Sequence, residues 1–215
     1  MTGGRPGPPP RVVPASPADL DVLGQVIADA FQDLPQSRWL IADPQARRQV
    51  LPGYFRLLAG HALACGVLHT TADRAAAALW LPAGRGGGPA GLAARLAAAT
   101  GRWADRFAAF DAALDRHHPP GPAHHHLAVL AVRPGHQGQG TGTALLRAYH
   151  ATLDRDQQPA YLEAAEWRSR QLYRRHGYLP SGLFYLPEGG PAMWPMWRPP
   201  RPAQPGHDGT DDPVL

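Results

Sequence analysis

The chain has 215 residues, 44% hydrophobic and 18% charged, with a formal net charge of +4, 24 Gly and 25 Pro. That balance suits one packed domain and excludes global disorder. With no apolar run near the roughly 18 residues of a membrane span, one cysteine (Cys65) and no internal repeat, membrane-spanning, disulfide-stapled and solenoid architectures are excluded.

All 21 basic residues are Arg, and the chain has neither Lys nor Asn. The arginines are spread along the chain among Asp residues, whereas a nucleic-acid binder gathers them on one element, so nucleic acid is not an expected partner. Without lysine, a phosphate loop of the G-x-x-x-x-G-K-[ST] type is impossible. The unpaired cysteine and a start lacking the apolar middle of a signal peptide predict a cytoplasmic, membrane-free protein.

Residues 1–10 are Gly/Pro-rich and read as a disordered arm. A first strand is expected at Arg11–Pro14. Ser16 then caps a helix with Pro17 at its first position and Leu20, Leu23, Ile27, Ala30 and Phe31 at helical spacing. A second helix is expected over Gln45–Gly60, then strands Ala64–Thr70 and Ala75–Leu81 joined by a turn at Thr71–Arg74. Gly84–Pro89 reads as a loop and Ala90–His117 as an Ala-rich helical stretch. Leu127–Val132 is apolar on both faces, which predicts a central strand. After the turn at Gly135–Gly142, Leu145, Ala148, Tyr149, Thr152 and Leu153 mark one face of a helix. Pro159–Ala164 is the next strand, Arg168–His176 a short helix ended by Gly177, and Tyr178–Leu186 with Met193–Arg198 a last antiparallel pair. The tail from Pro199 to Leu215 has no apolar period and reads as disordered, leaving one domain over 11–198.

Gly138, Gly140 and Gly142 alternate between a buried strand and a helix. Glycine permits a sharp turn and close approach of a ligand, and the unpartnered N–H groups of the first helical turn favour phosphate oxygens. A dinucleotide fingerprint is the competing reading. Its third glycine would come one residue later, and such a unit opens a parallel sheet rather than following a hairpin.

The segment Leu130–Leu146 resembles the acetyl-CoA-binding motif of the GNAT superfamily of N-acyltransferases, strand–V-x-P-x-x-Q/R-x-x-G-x-G/A–helix, with Gln137, Gly140 and Gly142 on its named positions. Tyr161-Leu-Glu-Ala164 and Leu172-Tyr-Arg-Arg-His-Gly-Tyr178 resemble the family's later strand and its L-Y-x-x-x-G-F/Y element. The Ala-rich insert and the Pro187–Pro191 turn look like the branch containing puromycin N-acetyltransferase. The resemblance implies an α/β fold, with a mixed, mainly antiparallel sheet whose central strands splay apart between flanking helices. It implies acetyl-CoA as cosubstrate, with its diphosphate on the backbone of Gly138, Gln139, Gly140, Thr141, Gly142 and Thr143. The pantetheine arm would pair with the main chain of Leu130, Ala131 and Val132. Many members hold that arm with an Asn; this chain has none, and Ser169 stands in that place in the puromycin-enzyme spacing.

Acetyl transfer to an amine needs a neutral nucleophile and a protonated leaving thiol. The resemblance places Tyr173 as proton donor; a phenol near pKa about 10 keeps its proton at neutral pH and so has one to give as the thiolate departs. Glu163, one of three glutamates, interrupts an apolar strand and is the leading base. An ion pair with Arg168 or Arg170 is the alternative role for it. His126 is a second candidate base, sharing strand parity with Ala128, Leu130 and Val132. Of His124, His125 and His126, only the first and last share a strand face, and no Cys or helical His pair accompanies them, so no catalytic metal is expected. Phe31, Trp39, Tyr54, Trp80, Phe184, Tyr185 and Trp194 are candidate acceptor-lining aromatics, which favour a small apolar or ring-bearing amine over an acid-lined polycation site. A protein N-terminus or lysine, and a non-catalytic acyl-CoA sensor, are the alternatives. A monomer and a homodimer are both compatible with the sequence.

Overall fold

The computed structural model describes residues 10–83 and 91–201. The Gly84–Pro89 loop lies outside these residues, as does all of the N-terminal arm except Pro10 and all of the C-terminal tail beyond Arg201.

The strands are β1 (Val12–Pro14), β2 (Val67–Thr71), β3 (Ala76–Pro82), β4 (His125–Val132), β5 (Ala160–Ala164), β6 (Leu179–Pro180), β7 (Phe184–Tyr185) and β8 (Ala192–Arg198). They form one sheet in the order β1–β2–β3–β4–β5–β8–β6, with β7 also on β8. Every neighbouring pair is antiparallel except β4–β5. The helices are α1 (Leu20–Phe31), α2 (Pro35–Leu40), α3 (Pro44–Cys65), α4 (Leu92–Thr100), α5 (Ala104–His117), α6 (Thr141–Arg155) and α7 (Trp167–Arg175).

Alternation along the strands sends side chains to two cores. On one face Leu68, Ala77, Leu79, Val129 and Ala131 pack under Leu23 and Ile27 of α1, Leu51, Phe55 and Ala59 of α3, and Phe107 of α5. On the other, Ala76, Ala78, Trp80, Leu127 and Leu162 pack under Leu145, Leu146 and Leu153 of α6 and Tyr173 of α7. The apolar run of β4 is therefore covered on both sides, as its composition predicts.

Several boundaries differ from expectation. Ser16 stands at the N-cap, its backbone N–H and its hydroxyl both donating to Asp19 Oδ2 (2.8 Å), but the first turn is a 3₁₀ turn over Pro17–Asp19 ahead of α1. The second expected helix starts at Pro44, where Asp43 accepts from the N–H groups of Gln45 and Ala46, and it runs through Cys65, so β2 begins later than its residue types suggest. The Ala-rich stretch is two helices broken at Gly101 (φ +53°). The six-residue α2 carries too short an apolar pattern to be read from periodicity. The strand expected over Tyr178–Leu186 is two short pieces, β6 and β7, interrupted at Ser181–Leu183.

One irregularity sets the site. Leu79 opposes Val129 but Trp80 opposes Leu127, so Ala128 is an extra residue, a β-bulge in β4. The bulge inverts the parity expected for His126. It shares its β3 partners' parity with Val129 and Ala131 (Leu81, Leu79, Ala77), not with Leu130 and Val132 (Ala78, Ala76).

Candidate active site

Gly138 (φ +76°) and Gly140 (φ +85°) adopt left-handed backbone that other L-residues reach only with strain, and Gly140 is the N-cap of α6. Gly142 is helical; a Cβ there would stand 3.4 Å from Leu172 Cδ2 and 3.8 Å from Leu130 Cδ2, so its small size keeps open the space between β4 and α7. Gln137 donates its side-chain amide to the Val132 carbonyl (3.0 Å) and Gln139 to the Gly135 carbonyl (3.1 Å), which fix the turn against its own backbone. The first helical bond of α6 runs from Ala144 N–H to Gly140 O (2.9 Å), so the N–H groups of Thr141, Gly142 and Thr143 have no acceptor within the helix. The turn itself is exposed.

β4 and β5 pair at only two positions, His125↔Ala160 and His126↔Tyr161. Beyond them the strands continue unpaired to Val132 and Ala164, which opens a wedge between Leu127–Val132 and Leu162–Ala164 directly below the glycine turn. The main chain of Leu130, Ala131 and Val132 thus lacks a β5 partner. Ser169 sits at the start of α7, where its hydroxyl donates to the Glu166 carbonyl (2.8 Å) and accepts from the Glu166 N–H (3.3 Å). It closes a capping box in which Glu166 is the N-cap.

Tyr161 and Glu163 point from β5 to the face carrying α5, away from the Leu162 side. Because the bulge turns His126 to the same face, the two candidate bases meet: His126 Nε2 and Glu163 Oε2 are 2.8 Å apart. Glu163 pairs with this imidazole rather than with Arg168 or Arg170. Its side chain is 5% exposed, and Oε1 is buried with no hydrogen-bond partner among the described residues. Burial pushes the Glu163 carboxyl upward, but the charge and hydrogen bond of His126, the Tyr161 hydroxyl and His118 outweigh it and hold it below the ordinary carboxylate range. It is an ionised carboxylate with one oxygen spoken for.

Two residues complete this cluster that sequence reasoning missed. The Tyr161 ring lies 5.6 Å from His126 and 4.8 Å from His118, and His118 stands edge-on to His126 at 5.3 Å. His124 Nδ1 must donate to the Pro122 carbonyl (2.8 Å), which leaves its Nε2 to accept from His118 Nε2 (3.0 Å). Burial first, and then the neighbouring imidazole of His126, lowers the pKa of both His118 and His124. Tyr161 could have been found from strand alternation with Glu163; His118 comes from the end of α5 and carries no local signal.

Tyr173 lies across the sheet from Glu163, on the α7 side of the wedge, 7% exposed and 5.7 Å from Tyr178. Burial pushes its phenol well above the usual range, so it stays protonated.

A cavity of about 310 Å³ opens beside the carboxylate face of β5, walled by Tyr161, Pro119, His117, Leu183, Phe184 and Pro195, the last being the β8 partner of Glu163. The His117 and Phe184 rings stack at 4.0 Å. Of the expected acceptor-lining aromatics, Phe184 lines this cavity. Tyr54 is core against Phe55 and Phe107, and Trp80 is fully buried under Tyr149 on the opposite face. Tyr185 is 65% exposed. Asp43 is spent on its helix cap and Asp33 on Arg38, so neither presents a free acidic wall. Among the described residues, no helix is long and apolar enough to cross a membrane.

Residues 95–180 match the family model described as Acetyltransferase (GNAT) domain. The fold is similar to that of the Corynebacterium glutamicum protein named histone acetyltransferase HPA2 and related acetyltransferase, at 28% identity and a TM-score of 0.68 over 92% of this chain and 99% of that one. It is also similar to arylalkylamine N-acetyltransferase 2 from Aedes aegypti (12% identity, TM-score 0.59, 89% and 99% covered). Naa20 of Chaetomium thermophilum, in complex with a bisubstrate analogue, is similar at 14% identity and a TM-score of 0.50, with 88% and 86% covered. Residues 95–180 thus match a GNAT acetyltransferase domain, and this match together with the similar structures supports N-acetyltransferase activity.

Proposed function

We propose that the protein moves an acetyl group from acetyl-CoA directly to the primary amine of a small, apolar or ring-bearing molecule. The observation that carries this reading is Glu163, a buried, ionised carboxylate whose one oxygen is held by His126 while the other has no hydrogen-bond partner among the described residues, on the strand whose Tyr161 walls a cavity with Phe184 and Pro195. An isolated buried carboxylate oxygen is costly, and an ammonium or an attacking amine is the group that would satisfy it.

The residues fit the cosubstrate. Free N–H groups of Thr141–Thr143 and the exposed turn Gly138–Gly140 suit a diphosphate, and the unpaired edge of Leu130–Val132 suits the amides of a pantetheine arm. Bound there, acetyl-CoA supplies a thioester carbon open to attack. As the amine nitrogen bonds to the acetyl carbon and the carbon–sulfur bond breaks, Glu163 Oε1 takes the proton that the nitrogen loses, while His126 holds Oε2 through its hydrogen bond. Tyr173, on the other side of the wedge, hands its phenolic proton to the departing thiolate. This division of roles is supported by Glu163 and Tyr173 lying on opposite faces of the sheet at the gap between β4 and β5. Ser169 retains one acceptor lone pair for the arm, since its proton is used on Glu166.

A peptide N-terminus or lysine is the second reading, because the similar structures include proteins named as a histone acetyltransferase and Naa20. Thiol release from acetyl-CoA, followed across arylalkylamines, aminoglycosides and peptide amines, separates the cases. Fastest turnover on a ring-bearing amine is expected. Preference for peptides would overturn the acceptor class, and binding of acetyl-CoA without release on any amine would leave a sensor.

A further inference from the structure

The cavity of about 310 Å³ beside β5 is walled by the end of α5 and by the segment that joins β6 to β7. Among the described residues no Asp, Glu or Arg side chain walls it, so neither a second ammonium nor a carboxylate on a ligand would meet a counter-charge there. What polarity it has comes from neutral groups. His117, in the last turn of α5, has one ring nitrogen already spent: a carbonyl only accepts, so Nδ1 donates to the Ala113 carbonyl (2.8 Å). Nε2 is then the acceptor of the neutral ring. The imidazole lies flat on Phe184, with ring centroids 4.0 Å apart and planes 1° from parallel, so the bond and the stack together fix its orientation.

Ser181 walls the same cavity. Its N–H donates to the Pro195 carbonyl (2.9 Å), which pins its backbone, and its hydroxyl can both donate and accept. A wall nitrogen that only accepts is satisfied by a ligand that brings an O–H, whose oxygen can in turn accept from Ser181. A methoxy group in the same place only accepts, and a bare ring carbon does neither, so each leaves Nε2 desolvated without a donor. The rings of Tyr161 and Phe184 and the side chain of Leu183 suit an aromatic body, and the volume holds one ring rather than an oligosaccharide. Tyr161 stands two residues before Glu163 on the same face of β5, roughly 7 Å away, a span that a short amine arm covers.

We propose that His117 selects the acceptor, its Nε2 taking a hydrogen bond from a hydroxyl on the aromatic ring of the amine. The assignment rests on the acetyl-transfer reading above and narrows its acceptor to hydroxyl-bearing aryl amines. The test follows thiol release from acetyl-CoA by the full chain with phenethylamine, its meta- and para-hydroxy forms, the matching methoxy ethers and the para-carboxy form. One hydroxy amine is expected to exceed both the parent and its own ether in kcat/KM by about tenfold, the scale of one hydrogen bond. His117→Phe keeps a ring against Phe184 and removes the nitrogen, at an exposed position. It should bring the hydroxy amine and its ether together while circular dichroism shows a retained fold. A histidine that served only to pack would leave their ratio as it is in the wild-type chain, and that result would overturn the proposal. Ethers turned over as fast as hydroxy amines by the wild-type chain, or a para-carboxy form that is fastest of all, would overturn it as well. Thiol release with none of these amines would remove the acceptor reading itself, and the proposal with it.

Discussion

Glu163 and Tyr173 differ in what their loss removes, and pH separates them. Glu163→Gln keeps the side chain's shape but has no negative oxygen to take a proton, so kcat/KM should fall about 10²–10⁴-fold near neutral pH. That deficit should shrink toward about pH 9, where more of the acceptor amine is already neutral and needs no base. Tyr173→Phe removes one oxygen from a buried ring and should lower kcat about 10–10²-fold with unchanged thermal stability. Because burial holds the phenol's pKa above the working range, the Phe deficit should stay level across the same pH span. Steady-state kinetics at several pH values reads both. Parallel profiles for the two variants would break the division of roles. Both residues were legible from motif and strand pattern, but their partners were not: sequence parity put His126 on the wrong face, and only the extra residue at Ala128 brings it to Glu163.

The strand–turn–helix element from β4 to α6 makes two different demands on its glycines. At Gly140 a Cβ would meet nothing within 4 Å, so the need is for the left-handed backbone alone. Gly140→Ala should therefore cost about 1–2 kcal/mol. Gly142 is helical, and Ala there gains up to about 1 kcal/mol of helix propensity while its methyl enters the space between Leu130 and Leu172. Melting temperatures should fall for Gly140→Ala and hold for Gly142→Ala, whereas calorimetry should show weaker acetyl-CoA binding for both. A Gly140→Ala chain as stable as wild type would contradict the backbone argument. Elsewhere short elements escaped sequence reading for a physical reason. The position of α2 is set by Gln36, whose buried amide donates to the carbonyls of Ala165 (3.0 Å) and Ala192 (3.1 Å), contacts more than 120 residues away in the chain.

At the scale of the molecule, buried imidazoles set the response to acid. Burial is the leading cause that holds His61, His69, His118, His124, His125, His150 and His176 below the usual value. For His150, 5% exposed, the value is pushed down to about 3. In the unfolded chain each takes a proton near about pH 6.5, and in the folded chain it does not. Stability from these groups is therefore complete above about pH 6.5 and is lost as pH falls below it, at up to about 1.4 kcal/mol per pH unit for His150 alone. Asp19, held at about 2 chiefly by its hydrogen bond from Arg74, shifts stability in the same sense but only below about pH 4. Scanning calorimetry should thus find the melting temperature dropping already between about pH 7 and about pH 5. A flat profile in that window would mean that the imidazoles are hydrated in the folded state.

The sequence by itself determined the alternation of strands and helices, the central apolar strand and the glycine turn that opens α6, and it singled out Glu163 and Tyr173 as candidates. Each is written in local spacing, because backbone conformation and side-chain parity act over a few residues. Tertiary structure alone decided the rest. The divergence of β4 from β5 after two paired residues, the meeting of His126 with Glu163 and the approach of His118 depend on segments far apart in the chain. So does the stacking of His117 on Phe184. Strand register, a single bulge and long-range burial set these, and no local pattern encodes which distant surfaces close on one another.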